Sequence, residues 1–345
     1  MDDGAQVLFA FADGVERSVT VKSNETILDA GLAADLPLLF QCKSGSCSSC
    51  IAKLIEGETR QAAGHTTLLR SEYEAGLRLL CQCEAVGNCR LELGYDSEAG
   101  SVRATKAKAF VDEVEKIASN VVRLRLELAA DNWVDFRSGQ FFQLTVPGVG
   151  AIRSYSPATT PRELPMLEFL IRLLPGGVMS QWLTDQATPD DIIDIEGAFG
   201  AFFLREKVRA PHILIAGGTG LAPMLSIVDE LRAQSGRKPP VLLSFGCTDP
   251  DALFGLDAIK LRQQWMPGLT ARISVDNGAT GDLLSGNPVD AVLAEDVSDP
   301  NTVAYLCGPS RMIDAAFARL EALGVNPDNI FAEQFVSSSE TGSNP

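Results

Sequence analysis

Cys42-Lys43-Ser44-Gly45-Ser46-Cys47-Ser48-Ser49-Cys50, answered far downstream by Cys81, is the stretch on which the reading of this chain turns. Three thiolates on one short loop and a fourth from a distant segment can give each of two irons two sulfurs in tetrahedral geometry. The Cys-x4-Cys-x2-Cys…Cys order is the spacing of a plant-type 2Fe-2S cluster, so one-electron transfer is expected. A zinc site would show two Cys-x2-Cys knuckles, and only Cys47 and Cys50 have that spacing. A disulfide framework needs an oxidising compartment, yet Met1-Asp2-Asp3-Gly4 has neither the basic flank nor the apolar run of a secretory signal, so a cytoplasmic location is expected. For the fourth ligand we assign Cys81. Cys83 is the alternative, because residues two apart on a strand share a face and alternation cannot choose between them. Cys89 reads as a small buried hydrophobe.

The chain has 345 residues, which sets a prior of about two or three domains. Hydrophobic residues make up 46%, enough for real cores, and no run reaches the length of a membrane span. A net charge of −16 repels phosphate backbones and anionic lipid, so neither nucleic acid nor membrane is expected as a partner. Basic protein surfaces fit better. His65 and His212 are too few and too isolated for a Rieske centre or a two-His iron site.

Outward from the cysteine loop, residues 6–12 and 16–22 alternate around Asp13-Gly14, which predicts a hairpin. Ile27, Leu28, Leu32 and Leu36 predict a helix over 26–36, stopped by Pro37. The polar stretch from Asp96 to Lys108 reads as a linker. Beyond it, 111–128, 141–146, 152–157, 166–174 and 192–195 are β-rich segments between Gly and Pro turns, as in an antiparallel barrel. From about Pro211, strand-like runs at 213–216, 241–245, 269–275 and 303–307 alternate with helical patterns, which predicts a parallel α/β sheet.

Four further segments carry chemistry. Arg153-Ser154-Tyr155-Ser156 offers a cation, a flat face and hydroxyl donors suited to a flavin, although an edge tyrosine can equally be packing. Gly177-Val178-Met179-Ser180 opens a short helix whose first amides suit a diphosphate; its plainer reading is a Gly-rich turn with Ser180 as N-cap. Gly217-Gly218-Thr219-Gly220 joins a strand to a helix over 221–234, with Pro223 tolerated in the first turn, and forms a phosphate cradle. Cys307-Gly308-Pro309 ends a strand with a thiol at the mouth and opens a helix over 310–323. At the strand end near Asp249 no arginine is visible, and that carboxylate disfavours a ribose 2′-phosphate, so NADH is expected over NADPH.

Taken in order with Phe331-Ala332-Glu333-Gln334-Phe335, these motifs resemble the reductase components of multicomponent aromatic oxygenases, of the benzoate and toluate dioxygenase type. The order of segments over 1–95 resembles the β-grasp ferredoxins, which commonly have glycine where this chain has Ser48. The resemblance implies a plant-type ferredoxin domain over 1–97, a linker over 98–107, a FAD-binding β-barrel over 108–207, a NAD-binding α/β domain over 208–336 and a tail over 337–345. It also implies that Arg153, Tyr155 and Ser156 hold the flavin, with Ser156 near N5. Gly177–Ser180 would meet its pyrophosphate, and Gly217–Gly220 the dinucleotide phosphates. Cys307 would lie by the nicotinamide and Phe335 against the flavin ring, with Glu333 as a possible polar partner.

The implied function follows from electron number. NADH gives two electrons together and a 2Fe-2S cluster takes one, so a flavin must divide the pair. Electrons would then leave through the ferredoxin domain to a terminal oxygenase, docked briefly and guided by charge. Other readings are a reductase for a phenol or methane monooxygenase or a sugar-deoxygenation enzyme, a redox-sensing module without fast turnover, and a zinc-stabilised interaction protein.

Overall fold

The structure is a computed structural model that describes residues 4–45, 48–61, 66, 68, 70–101, 104–205 and 209–335. Cys47, His65 and the expected tail lie outside the described residues. Contacts divide the chain into two units: residues up to 103 together with Phe199–Phe202, and the remainder.

The first unit opens with β1 (Ala5–Phe11) and β2 (Glu16–Val21), joined through Asp13-Gly14 with Gly14 at φ +79°. The helix α1 (Ile27–Ala33) is N-capped by Thr26, whose Oγ1 accepts from the Asp29 amide at 3.1 Å. It ends earlier than its apolar spacing predicts. Asp35 turns left-handed at φ +54°, and the Leu36 amide donates back to the Gly31 carbonyl at 2.9 Å, closing a Schellman motif before Pro37 is reached. After the cysteine loop come β3 (Ile51–Glu56), β4 (Thr59–Gln61), α2 (Arg70–Glu74), β5 (Leu77–Leu79), β6 (Cys83–Ala85), β7 (Cys89–Leu93) and the single turn α3 (Ser97–Ser101). The main sheet has the order β2-β1-β7-β3-β5, with β1 and β7 parallel and the other pairs antiparallel; β4 and β6 form a separate pair. This is the expected β-grasp arrangement.

Part of the expected linker is ordered structure. Asp13 Oδ2 accepts from the Ser97 amide at 3.0 Å and hydroxyl at 2.6 Å, and β8 (Thr105–Ala118) starts inside the segment read as linker. Its first inward residues are Ala107 and Ala109, too small to show as an apolar stripe between outward Thr105, Lys106 and Lys108.

The second unit continues with β9 (Val121–Leu128), β10 (Phe141–Thr145), β11 (Ile152–Tyr155), β12 (Met166–Arg172), α4 (Val178–Asp185) and β13 (Ile192–Phe199). The sheet order is β11-β10-β13-β8-β9-β12. Its two end strands meet where Pro157 bridges Phe169 and the Ala158 amide donates to the Glu168 carbonyl at 2.7 Å, which closes the barrel. Phe142 sits at the centre, edge-on to Phe136 and Phe169 at 5.4 and 6.5 Å. The helix α4 adds Met179, Trp182 and Leu183 to the same core.

The chain then forms β14 (His212–Gly217), α5 (Leu221–Ala233), β15 (Val241–Cys247), α6 (Leu256–Trp265), β16 (Leu269–Val275), β17 (Leu284–Ser285), β18 (Val303–Gly308), α7 (Ser310–Ala322) and β19 (Ile330–Gln334). All pairs in the order β17-β16-β15-β14-β18-β19 are parallel. From β14 the chain goes first to one side and later to the other, so the topological switch lies between β15, β14 and β18 at their C-terminal ends. The barrel is tied to α5 by Ser226 Oγ donating to the Thr159 carbonyl at 2.7 Å and by Arg162 with Glu230 at 2.8 Å. Among the described residues no helix is long and apolar enough to cross a membrane.

Candidate functional site

The cysteine loop is entered through Leu39, whose amide donates to the buried Tyr95 hydroxyl at 3.0 Å. The Ser44 amide donates to Cys42 Sγ at 3.3 Å. Cys50 and Cys81 are buried and Cys42 is half-buried. The Cys81 thiol is pulled down to about 7, chiefly by its hydrogen bond with Cys50, helped by the Gly45 amide and opposed by burial. A thiol that ionises this readily, beside two more sulfurs and facing backbone donors, suits iron ligation. Cys83 behaves differently: burial pushes it up to about 11, and its partner is the Thr59 side chain. The expectation that Cys81 and Cys83 share a strand face does not hold, because Leu80–Gln82 is a 3-10 turn that breaks the alternation. Burial also raises Cys89. Among the described residues no three His, Cys, Asp or Glu side chains form a group around one ion; Cys47 is not among them. Lys43 and Ser48 take left-handed φ values of +55° and +51°, so the loop holds backbone strain beside its sulfurs.

On the barrel, β11 pairs with β10 so that Arg153 faces Leu144 and Tyr155 faces Phe142 across the ladder. Arg153 is half-buried, with one guanidinium nitrogen on the Ile152 carbonyl at 2.8 Å; Ser154 is exposed and Ser156 is buried. Burial raises the Tyr155 phenol well above its usual range, against the pull of Arg153. Thus Tyr155 is a neutral, flat, hydrogen-bonding surface at any working pH. Gly177, not Ser180, is the N-cap of α4; Ser180 lies in the first turn and its Oγ accepts from the Leu174 amide at 2.8 Å. Gly177 and Ser180 line a cleft of about 380 Å³ with Asn120, Pro175, Gln181 and Thr184. Arg153 and Tyr155 are not part of its lining. The Met179 side chain belongs to the core, so only its backbone is available to a ligand, as is that of Val178 in the same turn.

At the switch point, Gly217 ends β14 and Gly218–Gly220 form a 3-10 turn into α5, with Gly218 at φ +55°. A β-carbon on Gly220 would stand 2.2 Å from the Cys307 carbonyl oxygen, and one on Gly217 would stand 2.7 Å from Met312 Sδ. Gly217 and Gly220 therefore let the turn pack directly on the end of β18 and the start of α7, whereas a β-carbon on Gly218 would meet nothing within 4 Å, so the open side of the turn is at Gly218, which fits close approach of a phosphate. Thr219 lies in that turn. Gly308 and Pro309 lead into α7, Pro309 being its N-cap.

Cys307 is not at the mouth of the crevice. It is fully buried, and burial with the nearby Glu333 carboxylate drives its thiol well up. The reason is position: β18 lies inside the sheet, where Cys307 pairs with Ala216 of β14 on one side and Glu333 of β19 on the other. The Phe335 amide donates to the Gly308 carbonyl at 3.1 Å, and its ring is 38% exposed, the most open of these C-terminal positions. Asp249 is exposed just beyond β15. Cys247, at the end of that strand, receives a hydrogen bond from the Gly218 amide and is pushed up to about 11 by burial. Arg172, arriving from the barrel, acts on the same thiol. The segment around Asp249 shows no arginine in the sequence because Arg172 is distant along the chain and near Cys247 only in the fold.

Three family models match: a 2Fe-2S iron-sulfur cluster binding domain over residues 10–86, an oxidoreductase FAD-binding domain over 108–204 and an oxidoreductase NAD-binding domain over 214–317. A toluate 1,2-dioxygenase electron transfer component from Pseudomonas putida is 29% identical, over 95% of this chain and 98% of its own length. The reductase component of a propane 2-monooxygenase from Gordonia sp. is 33% identical, over 94% of this chain and 95% of its own. Among solved structures, a cytochrome P450 reductase of Amycolatopsis is 29% identical with a TM-score of 0.71, covering 96% of this chain and 99% of that one. Ferredoxin, FAD-binding and NAD-binding domains in this order, matched from end to end, settle the class: the chain belongs to the iron-sulfur flavoprotein reductases that serve as electron-transfer components of oxygenase systems.

Proposed function

We propose that this chain is the NADH-dependent, cytoplasmic reductase of an aromatic ring-hydroxylating dioxygenase system, delivering electrons to a separate terminal oxygenase. What supports the reading above all is that one chain joins a thiolate loop to a barrel and a glycine-lined crevice, and is similar over its whole length to a toluate dioxygenase electron transfer component.

Bound FAD supplies the step that links a two-electron donor to a one-electron carrier. The chain's own groups do the rest. Arg153 would offer a cation to the flavin diphosphate, Tyr155 a neutral face and Ser156 a hydroxyl, buried in the protein, to the flavin. The first-turn amides of α4, from Val178 to Ser180, add positive potential for the same diphosphate. The Gly217–Gly220 turn, with Gly308 and Pro309, receives the dinucleotide. Cys307, fully buried behind the crevice, would back the nicotinamide pocket by bulk, and a thiol held so far above its usual range is no nucleophile. Phe335 would lie against the flavin and help to exclude water from it, and Glu333 would be a polar neighbour of the transfer. Cys42, Cys47, Cys50 and Cys81 hold the cluster. Asp249 disfavours a 2′-phosphate, which favours NADH.

A second reading has a specific basis, the propane monooxygenase relatives and the P450 reductase structure: the acceptor is a monooxygenase. The test is NADH consumption coupled to product formation with purified aromatic dioxygenase, alkane monooxygenase hydroxylase and P450 components. Tight coupling to the dioxygenase alone upholds the proposal, and coupling to a monooxygenase alone transfers it to the second reading.

A further inference from the structure

The C-terminal strand β19 carries Glu333 and leads directly to Phe335; it has five residues and, among the described residues, stands at the edge of the sheet beside β18. Such a strand takes its position from whatever packs on its faces. One of its contacts with the barrel side of the unit runs through Arg205. Arg205 follows β13, and its guanidinium carbon lies 4.0 Å from the Phe203 ring centroid and 4.7 Å from that of Phe331. Phe331 in turn stacks on Tyr305 at 5.4 Å, and Tyr305 on His212 at 6.1 Å with the two planes 5° apart. The Arg205 amide donates to the Tyr305 hydroxyl at 2.8 Å, so the backbone of the same residue is fastened to β18. Phe203, Arg205, Phe331, Tyr305 and His212 form one column through four segments of chain, and a planar cation is the layer that joins the stretch after β13 to the three strands.

We propose that Arg205 is a positioning residue for hydride transfer, acting through Phe331 to hold β19 so that Phe335 and Glu333 stand in place. The inference rests on the reading of Phe335 as the residue lying against the flavin. Residues 331, 333 and 335 share one face in extended chain, so a clamp on Phe331 sets the pose of both functional positions. Lysine keeps the charge without the plane, and methionine keeps the bulk without either, so the three side chains separate the contributions. A guanidinium between two rings gains from both faces, more so when partly desolvated.

The experiment compares the full-length wild type with Arg205→Lys, Arg205→Met and Phe335→Ala. It reads amide exchange by mass spectrometry, thermal melting and the rate of flavin reduction by NADH. Arg205→Met is expected to speed exchange in peptides covering 330–335 by about tenfold while the β14–β16 peptides stay as they were. It should also lower kcat by about tenfold with little change in the KM for NADH, and Arg205→Lys should fall between. Unchanged exchange over 330–335, or a rise spread evenly over the unit, overturns the inference; so does faster exchange over 330–335 with an unaltered rate, provided Phe335→Ala does slow reduction. If Phe335→Ala leaves reduction by NADH untouched, it is the placement of Phe335 at the flavin that falls. The exchange data then still report whether Arg205 holds the strand.

Discussion

Gly220 and Cys307 approach so closely that a β-carbon on the glycine would stand 2.2 Å from the cysteine's carbonyl oxygen. That contact joins the turn before α5 to the end of β18 and makes the crevice at the switch point. Gly220→Ala must push one element off the other. It should cost about 1–3 kcal/mol by overpacking and raise the KM for NADH at least severalfold. Thermal melting and NADH titration read the two effects, and an unaltered KM with normal stability would show that the contact is not what shapes the dinucleotide site.

Cys81→Ser should abolish the electron paramagnetic resonance signal of the reduced cluster and lower the bound iron. Cys83→Ser should leave both, since Cys83 is turned toward Thr59 and not toward Cys50. The reverse pattern would assign the fourth ligand to Cys83.

Ser48 sits at φ +51°, where a side chain is strained and glycine is not. Ser48→Gly should therefore stabilise the folded loop by about 0.5–1 kcal/mol and leave the cluster signal intact. Denaturant unfolding checks the sign.

His212 is 2% exposed, and burial lowers its pKa to about 4 against a slight upward pull from the Ala210 backbone. Its neutral form is the folded one, so the unfolded chain binds the extra proton first as pH falls. The stability tied to this residue is complete above pH ~6.5 and is lost progressively as pH drops through 4, by up to about 3 kcal/mol. His212→Phe keeps a ring against Tyr305 and should flatten that part of the stability profile; an unchanged slope between pH 6.5 and 4 would place the acid sensitivity elsewhere.

Replacing Asp249 by Ser removes the carboxylate beyond β15. NADPH use should rise by about tenfold relative to NADH, read as the ratio of the two kcat/KM values. Adding an arginine beside it should increase the effect. No shift would place ribose recognition away from this strand end.

The cysteine loop, the first hairpin, the glycine turn before α5, most barrel strands and the inner strands of the parallel sheet are legible in the sequence, because spacing, periodicity and turn chemistry within a few residues set them; β3 to β7, the break of 111–128 into β8 and β9, and the edge strands β17 and β19 are not. Apolar spacing is silent where subtler local geometry rules: α1 ends at Ala33 ahead of the left-handed Asp35, and the start of β8 hides behind inward alanines. Tertiary packing alone sets which of Cys81 and Cys83 faces the other thiols, that Cys307 is fully buried beside Glu333 of the next strand, and that Arg172 acts on Cys247 and Arg205 reaches β19. Each of those facts is a contact between segments far apart in the chain. Local patterning says which face a residue takes, while the partner it meets there depends on how distant elements pack.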